Sequence, residues 1–389
     1  MRVLLLHNRY QVRGGEDVAV DLECEMLRAA GFTVELLEAS NDEIAGSVQM
    51  IQTALRVPYS FSARRLVSAR IRSFQPDLVH VHNFFPSLSP SVYDACRAAR
   101  VPVVQTLHNY RIVCANALLF RDGKTCTDCL GRTLLLPAIQ HGCYRSSKAG
   151  SAAVAAMIGI HRIRGTWTNR VQRFIALTQF ARNLFANNAH IPAEKIAVKP
   201  NSAPDPGLGG GAGGYALYVG RLSPEKGIET LLAAAAEGEG LCIPLKIAGD
   251  GPLQAKVQAQ CIPGRLEYAG LQDPAGVRRL MREARVLLIP SICFEGLPMV
   301  VPEAFGAGLP IIASRLGALE TLIEDGGNGL LVESGNPAAI VQAVRRIAAD
   351  GDFEQRLRRR ARATYEAVYH PEANLRLLRQ IYEQAAQAR

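Results

Sequence analysis

The sequence lacks any apolar run long enough to cross a lipid bilayer. Its longest apolar stretch covers residues 149–160, whereas a spanning helix needs about 20 apolar residues. A signal peptide is not expected, because the start MRVLLLHN has the pattern of a buried strand and is too short for an apolar core with a cleavage site. We therefore expect a cytoplasmic protein whose cysteines are reduced.

Charged residues are scarce as well, at 20% of the chain against 48% hydrophobic residues. This composition excludes disorder as the main state, because the chain has enough apolar surface to build a core. The length of 389 residues predicts two domains. The net positive charge comes from the first half of the chain. Residues 1–200 hold 24 Lys and Arg against 14 Asp and Glu, whereas residues 201–389 hold 20 Lys and Arg against 21 Asp and Glu. An anionic partner is indicated, which leaves nucleic acid, an anionic membrane surface and a phosphorylated substrate open.

The first expected strand is not followed by the dinucleotide-binding motif G-x-G-x-x-G. The alternation of strand-like and helix-like stretches nevertheless predicts an α/β fold with parallel sheets. Gly14 and Gly15 follow the first expected strand as a tight turn. His82, Asn83 and His108 follow two further strands, at the carboxyl ends where open α/β sheets bind their ligands.

The second half begins with a strand that leads into GRLSPEKG, residues 220–227. Ser223 is a favoured N-cap and Pro224 a favoured first helical residue, so a helix start is expected there. The turn would then present free backbone amides together with Arg221 and Lys226. This combination suits a diphosphate, because amides at a helix start favour an anion and the two side chains add positive charge.

The stretch from residue 286 places two carboxylates around a strand-to-helix turn. Residues 286–290 have the composition of a buried strand, and the next helix is expected to begin near Met299, with Pro302 among its first residues. Glu295 then lies in the loop and Glu303 in the first turns of the helix. The pair suits the hydroxyls of a sugar or a ribose. The alternative is that Glu303 only complements the helix dipole while Glu295 is solvated.

These two stretches carry a resemblance. EGLPMVVPEAFGAGLPIIAS, residues 295–314, resembles the signature of retaining glycosyltransferases of family 4, and GRLSPEKG resembles the diphosphate-binding loop of that family. The family has the GT-B fold, an α/β architecture of two facing Rossmann-like domains with parallel sheets and a C-terminal crossover helix. The resemblance implies an N-terminal acceptor-side domain over residues 1–200, a glycine-rich linker over 201–214, a nucleotide-sugar domain over 215–368 and a crossover helix over 369–389. The run GLGGGAGG inside the linker predicts flexibility and hinge motion.

The resemblance also implies roles for individual residues. Glu295 would hold hydroxyls of the donor sugar, Glu303 the nucleotide ribose, and His108 would face the donor sugar. The implied catalytic residues are His108, Arg221, Lys226 and Glu295. The implied contacts to the donor nucleotide sugar are Gly14, Gly15, Gly220, Arg221, Lys226, Gly249, Gly270, Leu271, Glu295, Gly296, Leu297, Met299 and Glu303. Acceptor-side contacts are expected from Asp17, His82 and Asn83.

The implied reaction is the transfer of a hexose from a UDP-sugar or GDP-sugar to a hydroxyl of a carbohydrate or lipid-linked acceptor, with retention of anomeric configuration. Relatives of this kind build bacterial surface polysaccharides. No cofactor and no divalent metal are expected to be required for catalysis. Two alternatives stay open: a GT-B sugar-nucleotide epimerase, and a non-catalytic basic module that binds nucleic acid or membrane. Nucleic acid is disfavoured, because no aromatic-rich basic motif is present and the paired glutamates would have no role.

Two basic segments of the first half suggest a membrane surface. Residues 56–72 read as a basic amphipathic helix, which could dock on an anionic membrane at the inner face or pack as a solvated helix on its own domain. Residues 144–173 are basic and helical around Trp167, and they would extend the same surface.

Four cysteines lie in an insertion over about residues 114–143. Cys114, Cys126, Cys129 and Cys143 have the spacing C-x11-C-x2-C-x13-C, and a C-x-x-C pair in a turn-rich segment is typical of structural zinc. His141 could replace one thiolate. The alternative is that Cys114 only closes a strand and the cluster binds no metal.

Overall fold

The structure is a computed structural model, and it describes residues 1–11, 13–40, 47–236 and 240–388. The predicted loop after the first strand and the predicted crossover helix each include one residue outside this set, Val12 and Arg389. The chain forms two compact units. The N-terminal unit comprises residues 1–119, 126–200 and 374–389, and the C-terminal unit comprises residues 120–125 and 201–373.

The strands and helices alternate along most of the chain. The β-strands are β1 Arg2–Asn8, β2 Thr33–Ala39, β3 Leu78–Val81, β4 Val103–Leu107, β5 Phe120–Arg121, β6 Lys124–Thr125, β7 Arg173–Ala176, β8 Ile196–Val198, β9 Ala216–Val219, β10 Leu245–Ala248, β11 Leu266–Gly270, β12 Val286–Ile289, β13 Ile311–Ser314 and β14 Gly329–Val332. The α-helices are α1 Gly15–Ala29, α2 Ser47–Arg56, α3 Phe61–Phe74, α4 Ser91–Ala99, α5 Leu136–Gln140, α6 Lys148–Ile163, α7 Thr166–Arg170, α8 Gln179–Asn188, α9 Ile228–Ala236, α10 Gln254–Ala259, α11 Pro274–Glu283, α12 Val300–Gly306, α13 Ala318–Leu322, α14 Pro337–Ala349, α15 Gly351–Thr364 and α16 Pro371–Gln387.

The N-terminal unit is built on a six-stranded parallel sheet with the order β2-β1-β3-β4-β7-β8. The order reverses between β1 and β3, which is the switch point where doubly wound sheets bind ligands. Val3 and Leu5 of β1 pack in a buried core with Leu378 and Tyr382 of α16. The last helix of the chain therefore completes the core of the N-terminal unit, as the predicted crossover helix requires.

The C-terminal unit has a second six-stranded parallel sheet with the order β11-β10-β9-β12-β13-β14. Counted within the unit, this is the 3-2-1-4-5-6 order of Rossmann folds, whereas the N-terminal unit has the other common doubly wound order. The switch point lies between β9 and β12, whose residues Ala216 and Val286 are register partners. The loops that follow these two strands therefore begin side by side.

The glycine-rich segment 207–214 is not a free tether. The amide of Gly209 donates to the carbonyl of Ala307, and the amide of Gly211 donates to the carbonyl of Arg282. A Cβ atom on Gly209 would lie 2.3 Å from the Arg282 carbonyl oxygen. The sequence predicted flexibility from these glycines, but in the structure they permit close backbone contact with the C-terminal unit.

Of the basic helix predicted over residues 56–72, the part from residue 61 onward is helical. Helix α2 ends at Arg56 and α3 begins at Phe61, because Pro58 lacks an amide hydrogen and disfavours helix in the residue before it. Ser60 then caps α3, its hydroxyl accepting from the Ala63 amide at 3.2 Å. The basic segment 144–173 is likewise divided into α6 and α7.

Candidate active site

The loops after β9 and β12 are in direct contact in the C-terminal unit. The amide of Ile292 donates to the carbonyl of Glu225 at 3.0 Å. Gly227 lies so close to the second loop that a Cβ atom on it would be 1.9 Å from the carbonyl oxygen of Pro290. The two stretches singled out in the sequence therefore form one site at the switch point of the sheet.

Gly227 offers a test of this contact that needs no ligand. Its φ of +73° and its contact with Pro290 both oppose a side chain, so Gly227→Ala should lower the free energy of unfolding by about 3 kcal/mol or more. Gly264 has the same φ of +73° with nothing within 4 Å of an added Cβ, so Gly264→Ala should cost only about 1 to 2 kcal/mol. Urea denaturation of both variants measures the difference, and equal losses would contradict the close contact.

The helix start predicted at Ser223 and Pro224 is wrong in detail. Residues Pro224–Lys226 form a single 3-10 turn, Gly227 adopts φ +73°, and α9 begins only at Ile228. The Ser223 hydroxyl makes no capping bond and instead bonds to Glu225 Oε1 at 2.6 Å. The turn ends early because glycine readily adopts the left-handed conformation at residue 227. The unpaired amides of α9 therefore follow Lys226 rather than precede it.

Lys226 and Glu295 form an ion pair across the two loops. The ammonium Nζ lies 2.7 Å from Oε1 and 2.9 Å from Oε2 of Glu295, and the Ser291 hydroxyl donates to Oε1 at 2.6 Å. Glu295 is 8% exposed. Burial alone would lower the pKa of Lys226, but the Glu295 carboxylate outweighs burial and raises it. Lys226 is therefore a fixed positive charge.

Arg221 and two backbone amides complete the positive side of the site. The Arg221 side chain is exposed, and within the described ranges it makes no hydrogen bond or ion pair. The amides of Gly296 and Leu297 likewise have no partner among the residues that the structure describes. These donors remain available to an anion.

Glu303 lies on the fourth residue of α12, which has Met299 as its N-cap. The helix thus begins where the sequence predicts, and Pro302 falls in the first turn, where its missing amide hydrogen has no intrahelical partner to lose. Burial raises the pKa of Glu303 to about 7, although Arg278 partly offsets the shift. A carboxyl with this pKa changes charge near neutral pH.

Three glycine-containing loops border the same site. A Cβ atom on Gly249 would lie 1.9 Å from the carbonyl oxygen of Gly220, which requires glycine at residue 249. The amide of Gly249 donates to the carbonyl of Gly270, so the loops after β9, β10 and β11 form a continuous edge. Leu271, next along the chain, is 71% exposed.

In the N-terminal unit, the predicted residues His82 and His108 are in contact. His82 Nδ1 lies 2.9 Å from His108 Nε2, and their rings stack with centroids 5.2 Å apart. His82 is 4% exposed, whereas His108 is only partly buried. Asn83 is 6% exposed, and its amide group bonds to the backbone of Asn8 and Phe85. Both polar ends of Asn83 therefore already have partners within the chain.

The turn at Gly14 and Gly15 starts α1, and Asp17 is used to hold it. Asp17 Oδ1 lies 2.8 Å from His7 Nε2, and Oδ2 accepts from the Gly14 amide at 2.9 Å. Asp17 is only 1% exposed. Burial raises its pKa, but the bonds from His7 and Gly14 outweigh burial and lower it. The side chain is a buried helix cap, which does not suit contact with an acceptor.

Sequence reasoning missed the neighbouring Glu16. Consecutive helical side chains point about 100° apart, and Glu16 accepts from Tyr10 Oη at 2.9 Å and from Asn109 Nδ2 at 3.1 Å. Burial raises the pKa of Glu16 to about 7. No sequence signal distinguishes Glu16 from Asp17. Which of the two side chains faces the core depends on the residue at which α1 begins.

The structure brings together one potential set of metal ligands, and it is not the cysteines. Within the described residues, Glu23, His80 and His82 are the one group of three or more His, Cys, Asp or Glu whose ligand atoms lie within 4.8 Å of one another. Glu23 Oε2 is already bonded to the Lys199 ammonium at 2.8 Å, which would repel a cation. This cluster is therefore better explained as a buried polar network.

The four cysteines are neighbours, but they do not form a group whose ligand atoms all lie within 4.8 Å of one another. The pKa of the Cys129 thiol is raised to about 11, mainly by burial and also by the nearby thiols of Cys114, Cys143 and Cys126. The Cys114 thiol donates instead to Asn116 Oδ1 at 2.9 Å. Zinc on Cys114, Cys126, Cys129 and Cys143 stays a prediction that metal analysis of the purified protein tests.

Among the helices that the structure describes, none is long and apolar enough to span a bilayer.

Comparison with known proteins identifies two families. Residues 12–203 match the family described as Glycosyltransferase Family 4, and residues 213–350 match the family described as Glycosyl transferases group 1. Together the two matches span both halves of the chain.

Individual relatives agree with the family matches. The chain is 27% identical over 361 residues to the phosphatidyl-myo-inositol mannosyltransferase of Mycobacterium leprae. The aligned region covers 86% of this chain and 84% of the relative. It is 28% identical over 181 residues to an amylovoran biosynthesis glycosyltransferase of Erwinia amylovora, which covers 44% of each.

Solved structures share the fold over the full length of both chains. Sucrose-phosphate synthase from Thermosynechococcus elongatus has a TM-score of 0.72 at 18% identity, and Anabaena HepE in complex with UDP has a TM-score of 0.68 at 16% identity. With its two parallel-sheet units and its matches in both halves, the chain belongs to the glycosyltransferases of the family 4 type with the GT-B fold.

Proposed function

We propose that this glycosyltransferase moves a hexose from a nucleoside-diphosphate sugar to a hydroxyl of a carbohydrate or lipid-linked acceptor, with retention of anomeric configuration and without a divalent metal. The observation that carries the proposal is the ion pair of Lys226 and Glu295 at the junction of the loops after β9 and β12. It sets a cation for a diphosphate beside an acceptor for sugar hydroxyls.

The pair retains capacity for a donor substrate. An ammonium group has three N–H bonds, of which Glu295 accepts two, so one remains for a phosphate oxygen. Glu295 orients Lys226 through both carboxylate oxygens, and Ser291 donates to Oε1 and fixes the carboxylate in turn.

Charge develops on the leaving phosphate as the bond to the sugar breaks. Lys226, Arg221 and the amides of Gly296 and Leu297 would stabilise that charge, which is usually the largest catalytic contribution. In the retaining reaction the leaving phosphate oxygen would accept the proton of the attacking hydroxyl on the same face of the sugar. His108 in the N-terminal unit remains a predicted contact to the donor sugar.

The proposal of metal independence rests on these two cations. The sequence does contain one D-x-D pattern, Asp350-Gly351-Asp352, a pattern that could suggest metal-assisted sugar transfer. Asp350 is the N-cap of α15, and its Oδ1 accepts from the Phe353 amide at 2.9 Å. The pattern thus has a structural role at a helix start.

The names of relatives support the choice of substrates. The neighbours from Anabaena are titled as complexes with UDP and with UDP-glucose, which favours a uridine donor. The relatives from Mycobacterium leprae and Erwinia amylovora are named for phosphatidyl-myo-inositol and for amylovoran biosynthesis, which favours a lipid-linked or carbohydrate acceptor. The epimerase and the non-catalytic basic module are not favoured, because these relatives are named as transferases.

Glu303 makes donor binding depend on pH. Ribose hydroxyls need the ionised carboxylate as acceptor, and the pKa of Glu303 is about 7. The affinity for a UDP-sugar, whose diphosphate stays ionised, should fall as the pH drops below 7, approaching tenfold per pH unit. Calorimetric titration at pH values from about 5 to 8 measures this pH dependence of the donor affinity. The range extends about two units below this pKa and about one unit above it. Glu303→Gln should remove it, and an equal slope in that variant would contradict the role of Glu303.

The same pKa shift has the opposite effect on the stability of the fold. A carboxyl whose pKa is raised on folding stabilises the folded state fully below its unfolded value of 4.5, and this contribution is lost as the pH rises through about 7. Donor affinity should therefore rise over the pH range in which this contribution to stability falls.

An exposed basic and apolar surface on the N-terminal unit supports a peripheral membrane contact. Phe61 of α3 is 69% exposed, and Ile163 of α6 is 73% exposed. Phe61 stacks edge-on against Tyr59, and the guanidinium of Arg164, the residue after Ile163, lies 5.8 Å from the centroid of the same ring. Apolar side chains beside arginines suit an anionic lipid surface.

Vesicle sedimentation tests this surface. Each arginine near an anionic membrane contributes about 1 kcal/mol, so Arg64→Ala with Arg65→Ala should weaken binding to phosphatidylglycerol vesicles by about 30-fold. Arg356→Ala with Arg359→Ala, two exposed arginines of α15, should leave binding unchanged. Binding that is equal for both double variants, or equal on neutral phosphatidylcholine vesicles, would contradict the membrane contact.

The proposed donor specificity is tested by thermal stability with a panel of nucleotide sugars. A ligand at 100 times its Kd should add about 2.7 kcal/mol to the free energy of unfolding. We expect a response to UDP-sugars or GDP-sugars that persists in EDTA. The absence of a response to every nucleotide sugar would contradict the proposal.

A further inference from the structure

A continuous chain of polar side chains runs through the N-terminal unit from a buried carboxylate to the partly exposed His108. Glu23 Oε1 lies 3.3 Å from His82 Nε2, and His82 Nδ1 lies 2.9 Å from His108 Nε2. Glu23 and His82 are only 6% and 4% exposed. The three side chains come from α1 and from the carboxyl ends of β3 and β4.

Glu23 is the fixed end of this chain. Burial alone would raise its pKa, but the attraction of Lys199 and His80 outweighs burial and holds the pKa well below its usual range. Lys199 Nζ donates to Oε2 at 2.8 Å. An ionised carboxylate can only accept hydrogen bonds, so each nitrogen that faces Oε1 is stabilised when it carries a hydrogen.

Two imidazoles face this oxygen. His80 Nδ1 lies 3.1 Å from Oε1 and 2.8 Å from the Tyr382 hydroxyl, and His80 Nε2 is bonded to Thr106 Oγ1 at 2.8 Å. Every nitrogen of His80 therefore has a closer partner elsewhere.

His82 Nε2 differs from the nitrogens of His80. Neither it nor Glu23 Oε1 has a regular hydrogen-bond partner among the described residues, and both are buried. If Nε2 carried a lone pair, two lone pairs would face each other at 3.3 Å, whereas a hydrogen on Nε2 satisfies both atoms.

Both histidines at the far end are neutral at physiological pH. Burial, assisted by His80, lowers the pKa of His82 to about 3, and burial with His82 lowers the pKa of His108 well below its usual range. A neutral imidazole has one hydrogen, so a hydrogen on His82 Nε2 leaves Nδ1 as an acceptor. The hydrogen in the 2.9 Å contact must then come from His108 Nε2.

We infer that Glu23, acting through His82, holds His108 as the tautomer with its hydrogen on Nε2, which leaves His108 Nδ1 as an acceptor for a substrate hydroxyl. His108 Nδ1 makes no hydrogen bond with any residue in the described ranges. Glu23 and His82 are positioning residues, since neither is exposed to a substrate. This inference rests on the proposed function only for the identity of the hydroxyl, which would belong to a sugar.

Glu23→Gln tests the inference because it reverses the direction of every bond in the chain. The glutamine oxygen would accept from Lys199, so its NH2 group would face His82 Nε2 and make that nitrogen an acceptor. His82 Nδ1 would then carry the hydrogen and donate it to His108 Nε2, and the hydrogen of His108 would move to Nδ1. Long-range proton–nitrogen NMR of histidine-labelled protein reports which ring nitrogen carries the hydrogen.

We expect His108 to carry its hydrogen on Nε2 in the unmodified protein and on Nδ1 in Glu23→Gln. Tyr382→Phe, an equally buried change that touches His80 but not His82, should leave the His108 tautomer unchanged. A hydrogen on His108 Nδ1 in the unmodified protein would overturn the inference even if Glu23→Gln failed to fold. An unchanged tautomer in folded Glu23→Gln would also overturn it.

Activity provides a second, separable measurement. Glu23→Gln should lower kcat by about 10- to 100-fold with little change in the KM of the donor. In a His108→Ala background the same substitution should cause no further loss, because its effect passes through His108. A full loss in that background would overturn the inference. The NMR measurement needs no sugar, so a chain that proved not to transfer hexose would refute the proposed function and still report the tautomer.

Discussion

Replacing Lys226 by alanine should lower kcat for sugar transfer by about 10³-fold. The ammonium is the partly buried cation at the junction of the two loops, and its bonds to both oxygens of Glu295 fix its position. Without it, the charge that develops on the leaving phosphate would be met by Arg221 and backbone amides alone. Product formation at saturating donor measures the loss.

The same change also removes the partner of a buried carboxylate, so stability must be measured beside activity. Lys226→Ala leaves Glu295 bonded to Ser291, and we expect a loss of about 1 to 3 kcal/mol in the free energy of unfolding. Lys256→Ala is the matched control, because Lys256 is an exposed lysine of the same unit, paired with Glu229. Near-normal turnover in folded Lys226→Ala would contradict its assignment.

Arg221→Ala should lower kcat/KM by about 10²-fold and leave the free energy of unfolding unchanged. The guanidinium is exposed and makes no hydrogen bond or ion pair within the described part of the chain, so its removal exposes no buried partner. Arg221→Lys should recover part of the activity, because lysine restores the charge but not the two parallel donors. The experiment isolates phosphate recognition from folding.

A loss of stability in Arg221→Ala, comparable to that in Lys226→Ala, would show that Arg221 has a structural partner. Unchanged kcat/KM in a stable variant would instead remove Arg221 from the phosphate site. The Tyr218 hydroxyl donates to the Arg221 carbonyl at 2.8 Å, so the backbone of the loop stays anchored in the variant.

The sequence was sufficient for the fold and for the contact between the two loops that we propose as the donor site. The strand-to-helix pattern predicted parallel sheets, and two motifs located the loops after β9 and β12. Helix α12 begins where the composition predicted it. Loops at the carboxyl ends of adjacent strands meet because of sheet topology, so a correct assignment of the strands brought Lys226 and Glu295 together.

Other predictions failed because they depended on tertiary contact. Ser223 and Pro224 have the residue types of a helix start, but the glycine at residue 227 ends the turn. The glycines of 207–214 have the composition of a flexible linker, and only the packed structure shows backbone bonds that hold the segment. Composition reports which conformations are accessible, and packing selects among them.

Nothing in the sequence indicated that Glu23 belongs to the polar network of the N-terminal unit. Its neighbour His80 lies on β3, His82 follows that strand, and Lys199 follows β8, so the members are distant in the chain. A glutamate on a helix normally faces solvent. Only the buried position of Glu23 reveals that this carboxylate belongs with the histidines.

The central claim is that residues of this chain, rather than a metal, stabilise the leaving diphosphate during transfer with retention. Proton NMR of the anomer first released when the enzyme hydrolyses a UDP-sugar or GDP-sugar in EDTA tests it without knowledge of the acceptor. We predict that the first anomer has the configuration of the donor, that EDTA leaves the rate unchanged, and that Lys226→Ala slows the release by about 10³-fold. Release of the inverted anomer, or a rate that collapses in EDTA and returns with a divalent cation, would contradict this account.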